Sequence, residues 1–208
     1  MMALSVTIKG YLLLRADQKP KKDWNEDTFT SSLGEDYIHH VAYEHNIFVI
    51  VRSKVHTEQI KSGEVLAKTA KEMDMWLYGA WEKSYRQRRF VWEAKLIADR
   101  TSSEAYKNLV AEYVSQGMFR FIDEEYAREV PDAGMLGYIL SGSSSAIVAQ
   151  INQSMKEPQR HRKLKDSDYL HSHNPVENFT DIYQSIHNRT ASKNKIRLFH
   201  LLLSFNFS

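Results

Sequence analysis

Apolar positions along this chain recur with two different periods, and the switches between them predict its elements. In "NEDTFTSSLGEDYIHHVAYE" Phe29, Leu33, Tyr37 and Val41 return every four residues, which predicts a helix over about 25–44. Past Asn46, the β-branched run "IFVIVRSKV" (47–55) predicts a buried strand. Residues 73–78 and 90–98 predict two further strands joined by the charged "EKSYRQRR". "TSSE" (101–104) has the spacing of a capping box and predicts a helix with Ala105, Leu109, Tyr113 and Met118 on its apolar face. A strand is expected at "GMLGYILSG" (134–142), with a serine-capped helix in "SSSAIVAQINQSM" after it. At the N-terminus "SVTI" and "YLLL", separated by Lys9-Gly10, read as a strand or strand pair, and "IRLFHLLLSF" reads as a final strand. Residues 56–71 fit a short helix or a loop equally well, and the polar, basic stretch 156–195 reads as an exposed extension.

Composition narrows the class. A chain of 208 residues with 42% hydrophobic and 12% aromatic content can bury a core, and it fits one domain. The absence of cysteine excludes disulfides, thiolate nucleophiles and cysteine-ligated zinc, and it fits a reducing compartment. A net charge of +2 does not by itself announce nucleic-acid binding. No signal-peptide pattern opens the chain. The longest apolar run near its end falls short of the roughly 20 residues of a membrane span, so a soluble, cytoplasmic protein without a membrane partner is expected.

The chemistry-bearing residues interrupt the two central strands. Side chains two apart share a strand face, so Glu93 and Lys95 in "FVWEAKLIA" project together, and Asp74 shares a face with Trp76 and Tyr78. If these strands pair as a hairpin, Asp74 and the Glu93–Lys95 pair converge. Two carboxylates can hold a hard cation such as Mg²⁺ and leave positions for water and phosphate. A metal acidifies its water, and a neighbouring lysine can orient that water or offset growing negative charge. The competing reading is a solvent-facing ion pair, which spacing alone favours. The apolar setting of "VWEAKLIA" argues against it, because a charge there needs a partner. A third acid belongs to the first helix. With Phe29 at zero and 100° per residue, Glu26 falls at about 60°, inside the apolar arc, whereas Glu35 lies on the opposite side. A first-turn acid that merely favours the positive helix end is the alternative.

Helix, three strands, helix, strand is the order over residues 24–142, with Asp74 on one strand and the E-x-K of "WEAK" on the next. In this the chain resembles the PD-(D/E)XK nuclease superfamily, with Met73 where the motif has proline. The resemblance implies an α/β (α+β) restriction-endonuclease-like core, a central mixed sheet flanked by helices. Extra N-terminal strands and a C-terminal extension would lie outside that core. It implies Mg²⁺-dependent hydrolysis of a nucleic-acid backbone, with DNA as the expected substrate, Mn²⁺ as a substitute metal and restriction or phage defence as the setting. Asp74 and Glu93 would be metal ligands, Lys95 would position or activate water, and Glu26 would bind a second metal or its water. Double-strand cleavage would suggest a homodimer, for which no interface signature is visible.

Other residues fill in the picture. Lys83, Arg86, Arg88 and Arg89 around Tyr85 could grip phosphates or form a solvated turn. Arg120, between two phenylalanines, could face the cleft or snorkel from the core edge. His171, His173 and His187 suggest a rival histidine–metal site, without the flanking ligands such a site needs. His39 and His40 read as surface or packing residues. The alternative function is a non-catalytic subunit that uses the basic C-terminal third to bind nucleic acid or a partner defence protein.

Overall fold

The predicted strands at the centre of the chain form, and the sheet they build is larger than the sequence pattern suggests. The computed structural model describes residues 2–54, 62, 72–79, 88–125, 127–156, 164–205 and 207, apart from the Arg88 side chain. The strands are β1 (Ile47–Lys54), β2 (Glu72–Gly79), β3 (Arg88–Ala98), β4 (Asp132–Ser141), β5 (His171–Ser172), β6 (Ile182–Asn188) and β7 (Lys195–Ser204). They lie in one mixed sheet in the order β1-β2-β3-β4-β7-β6-β5. β1, β2 and β3 run antiparallel in turn, β4 is parallel to both β3 and β7, and β6 and β5 return antiparallel. The two central strands, β4 and β7, are buried over nearly their whole length, as expected of strands covered on both faces.

One face is covered by α1 (Met2–Ala16) and by α2 (residues 26–43), the other by α3 (residues 109–122) and α4 (Ser144–Ser154). Helix α2 begins at Asn25, whose side chain accepts from the Thr28 N–H, as a cap should. Phe29, Leu33, Tyr37 and Val41 are all buried, so the four-residue stripe is real. Its middle segment, Ser32–Ile38, is π-helical, and His39 N–H bonds back five residues to Gly34 O. Helix α3 has the same irregularity over Tyr113–Met118, closing with Phe119 N–H on Val114 O. Such widened turns recur at functional sites, and this one lies beside the acidic strands.

Three expectations need correction. The N-terminal segment is helix, not strand: its β-branched residues and Gly10 mimic a hairpin. Leu4, Ile8, Tyr11 and Leu14 nonetheless follow a helical stripe and are buried. Gly10 belongs to helix packing, since a Cβ there would lie 2.6 Å from Ile38 Cγ1. The capping box at Thr101 does not form. Asp99 organises that turn by accepting from Thr101 N–H and hydroxyl, Ser103 caps a single 3-10 turn, and α3 starts at Leu109. Of the stretch expected as an exposed extension, residues 164–195 belong to the fold, because β5 and β6 extend the sheet beyond β7. Buried Ser185 and His187 break its apolar alternation and hide the strand from sequence. Apart from Ser62, residues 56–71 lie outside the described set, as do 157–163. Among the described residues no helix is long and apolar enough to cross a membrane.

Candidate active site

The acids converge where β2 and β3 part. Pairing of these strands ends at Met75↔Trp92, which leaves Asp74, Glu93 and Ala94 beside the point where the ladder stops. Beyond that point β3 continues alone on this side, with backbone N–H groups directed at no strand. Side chains satisfy them. Asp74 Oδ2 accepts from Ala94 N–H at 2.6 Å, and Glu26 Oε2 accepts from Leu96 N–H at 3.3 Å. The fork therefore needs acceptors, and the sequence supplies carboxylates from β2 and α2.

Lys95 binds the group together. Its ammonium lies 2.8 Å from Glu26 Oε1 and 3.1 Å from Glu93 Oε1, and it donates to Ala94 O at 2.7 Å. Arg120, from the last turn of α3, donates to Glu93 Oε1 at 2.7 Å. Glu93 is 0% exposed, so its charge is held by these two cations rather than by water. Gly117 in the widened turn of α3 fits closely here: a Cβ would stand 2.3 Å from Met135 Cε and 3.6 Å from Lys95 Cγ. From the opposite face, the Tyr138 hydroxyl lies 3.1 Å from Thr30 Oγ1, which donates to Glu26 O at 2.8 Å. This buried link fixes the start of α2 to β4. No sequence period signals it, because Thr30 and Tyr138 are 108 positions apart.

Among the described residues Glu26, Asp74 and Glu93 face Lys95 and Arg120, which also lies 3.9 Å from Glu125, and the ionisation of the group reflects that arrangement. Burial and the Glu93 charge push the Asp74 carboxyl up to about 6, against the pull of the Ala94 N–H, Lys95 and Arg120. Burial also raises Glu26, opposed by Lys95. Burial works to lower Lys95, but Glu93, Glu26 and Asp74 outweigh it and raise its pKa, so it stays an ammonium at neutral pH. Burial holds the Tyr138 hydroxyl neutral.

Glu26, Asp74, Glu93 and Lys95 are thus brought together as the sequence pattern suggests, and Arg120 joins them as the partner of Glu93. Arg89 is exposed, with its guanidinium 5.8 Å from the Trp76 ring. Lys83 and Arg86 lie outside the described residues, and of Arg88 only the backbone is described, paired with Gly79. The histidines do not form one site. His171 is exposed, His173 sits beside the Phe199 ring at 5.7 Å, and His187 is buried against Asp168 and Ser185 at 2.9 and 2.8 Å. His39 and His40 are exposed on α2.

A divalent cation suits the chemistry of Asp74 and Glu93, two neighbouring carboxylates in a group where acids outnumber bases among the described residues. Mg²⁺ is commonly held by one or two carboxylates with water completing its shell. Among the described residues no group of three or more His, Asp or Glu is arranged as a ready metal cage. No family model matches the chain, and neither a curated protein nor a solved structure matches it.

Proposed function

We propose that the protein is a divalent-metal-dependent phosphodiesterase acting on nucleic acid, with a restriction-endonuclease-like core. The observation that supports this is the convergence of Asp74, Glu93 and Glu26 at the β2–β3 fork, with Lys95 reaching both Glu93 and Glu26. Asp74 and Glu93 would hold Mg²⁺ or Mn²⁺, with Glu26 beside them. When bound, the metal supplies Lewis-acid polarisation of a phosphoryl oxygen and an acidified water. Lys95, fixed as an ammonium, orients the attacking water and offsets charge on the phosphoryl oxygens as it grows. Water forms a bond to phosphorus, the ester P–O bond breaks, and the proton released by water balances the one taken up at the leaving oxygen. Arg120, donating to Glu93 Oε1, holds that side chain in place. DNA is the proposed substrate and restriction or phage defence the proposed setting, both resting on the motif resemblance.

A second reading has its own observation. Lys95 and Arg120 already neutralise Glu93, so the group can serve as an ion network that closes the fork of a binding subunit. One experiment separates the two: cleavage of labelled DNA and RNA with Mg²⁺ or Mn²⁺, comparing wild type with Asp74→Asn and Lys95→Ala. Loss of cleavage in both variants supports the enzyme. Equal cleavage in all three, or none by wild type on any substrate, overturns it.

A further inference from the structure

Glu26 differs from Asp74 and Glu93 in coming from a helix, and its two oxygens take different partners. Oε1 accepts from Lys95 Nζ at 2.8 Å and Oε2 from Leu96 N–H at 3.3 Å. One carboxylate thus holds two consecutive residues of β3, the lysine by its ammonium and the leucine by its backbone. That hold lasts only while the first turn of α2 keeps its place, and helix ends are where fraying begins. Asn25 caps this turn from its own chain, but a cap does not tie the turn to the sheet.

The tie comes from β4. Tyr138 is the register partner of Leu96, so it stands beside the amide that Glu26 holds, and it packs in the core under α1 and α2. Its ring stacks on Phe29, with centroids 4.9 Å apart and planes 20° from parallel. Its hydroxyl lies 3.1 Å from Thr30 Oγ1, and Thr30 gives its own proton to Glu26 O at 2.8 Å. Tyr138 is therefore the donor to Thr30, and the relay runs from Tyr138 O–H through Thr30 O–H to the Glu26 carbonyl. Both side chains are buried, so neither hydroxyl turns to water instead. Phenylalanine and valine would fill the same space, and such an apolar replacement of both partners is nearly neutral for stability. An apolar pair would not fix the rotation and height of α2 against β4, because apolar burial is non-directional and a hydrogen bond is not.

Resting on the phosphodiesterase reading above, we propose that Thr30 and Tyr138 are positioning residues, whose hydroxyl relay seats Glu26 so that its carboxylate aims the Lys95 ammonium at the fork. Both act through Glu26 and touch no reacting group. Asp74 and Glu93 come from strands that the relay does not reach, so its loss lowers turnover and leaves cation binding as it was.

The test begins with amide exchange followed by NMR in the metal-free protein. In Tyr138→Phe and in Thr30→Val, Leu96 N–H should exchange about 3- to 10-fold faster, as loss of one net hydrogen bond allows. Ala94 N–H, held by Asp74 instead, should keep its wild-type rate. Thr30→Ser retains the hydroxyl and should behave as wild type. Mn²⁺ affinity, read by calorimetry, should be the same in wild type and all three variants. On whichever nucleic acid wild type cuts, Tyr138→Phe and Thr30→Val should lower kcat by about 10- to 100-fold at unchanged KM. An unchanged Leu96 rate overturns the proposal, as does equal acceleration at Ala94 and Leu96, which would mean general loosening. So does a loss of Mn²⁺ affinity, or a Thr30→Ser variant as altered as Thr30→Val. If wild type cuts and Tyr138→Phe cuts with the wild-type kcat, the positioning role falls and the enzyme stands. If Leu96 responds as stated while wild type cuts nothing, the enzyme falls and the seating of Glu26 by the relay stands.

Discussion

Among the described residues, the buried polar group at the β2–β3 fork and the one across β6 and β7 are built on opposite plans. The second runs Tyr113, His200, Ser185, His187, Asp168, with successive contacts of 2.9, 2.9, 2.8 and 2.9 Å. With Asp168 a carboxylate, donors and acceptors alternate without conflict. Tyr113 O–H donates to His200, His200 N–H to Ser185, Ser185 O–H to His187 and His187 N–H to Asp168. Asp168 Oδ2 also accepts the Lys165 N–H at 2.8 Å. Burial keeps Tyr113 and His200 neutral at one end of the run, holding His200 down at about 3, assisted by His187, and raising Tyr113 well above its ordinary value. Such a satisfied chain fixes helix α3 to the C-terminal strands, and its hydrogen bonds reinforce one another. At the fork, by contrast, carboxylates outnumber cations among the described residues, and Asp74 and Glu26 are both pushed toward protonation. A group that only held the fold together would be stabilised by dropping an acid. Keeping the surplus has a use when a cation must bind.

That contrast can be broken most sharply at Glu93. Glu93→Ala removes the common partner of Lys95 and Arg120 and leaves buried positive charge, so stability should fall by about 3–5 kcal/mol. Denaturant unfolding checks this, and a loss below about 1 kcal/mol would mean that the cluster is looser than its contacts.

Ser185→Ala comes next. It withdraws a donor from His187 and an acceptor from His200 in a place without water, at a cost of about 2–4 kcal/mol. Cleavage per folded molecule should stay at the wild-type level; a matching loss of activity would show that the neutral chain also serves the site.

Asp74→Asn should act in the opposite sense. Asparagine still offers an acceptor to Ala94 N–H but carries no charge, so at pH 7.5 the variant should be more stable than wild type by about 1–3 kcal/mol. Cleavage should fall on the order of 10²–10³-fold. A variant less stable than wild type would remove the idea of a surplus charge.

The smallest effect is the pH dependence of that difference. Asp74 has a folded pKa raised to about 6, above its unfolded value near 4, so the stability it contributes is present below pH 4. That contribution is lost as pH rises through about 6. The gap between wild type and Asp74→Asn in thermal midpoint should therefore close below pH 4 and open between pH 5 and 7. A gap independent of pH would place the shift elsewhere.

How much of this was legible in the residues varies with the range of the interaction. The stripe Phe29–Leu33–Tyr37–Val41, the strand pairs and the facing of Glu93 with Lys95 follow from local period, because a helix and a pleated strand set side-chain direction within a few residues. Glu26 was visible for the same reason, as an acid inside an apolar arc. The N-terminal helix was misread since Val6, Thr7 and Ile8 favour strand locally, and burial under α2 overrides propensity. Arg120 resembled a snorkelling residue because Glu93, its partner, is 27 positions away.

By itself, then, the sequence determined which segments are helix or strand at the centre of the chain and which face of β3 carries an acid and a lysine. Only the tertiary structure decided that β2 and β3 part at Asp74, that the open N–H groups of β3 take Asp74 and Glu26 as acceptors, and that 164–205 completes the sheet. It also decided that Tyr138 on β4 meets Thr30 on α2. The physical reason is that periodicity encodes direction along one element, whereas a fork, a charge balance and a hydroxyl relay depend on distances between elements that no local pattern records.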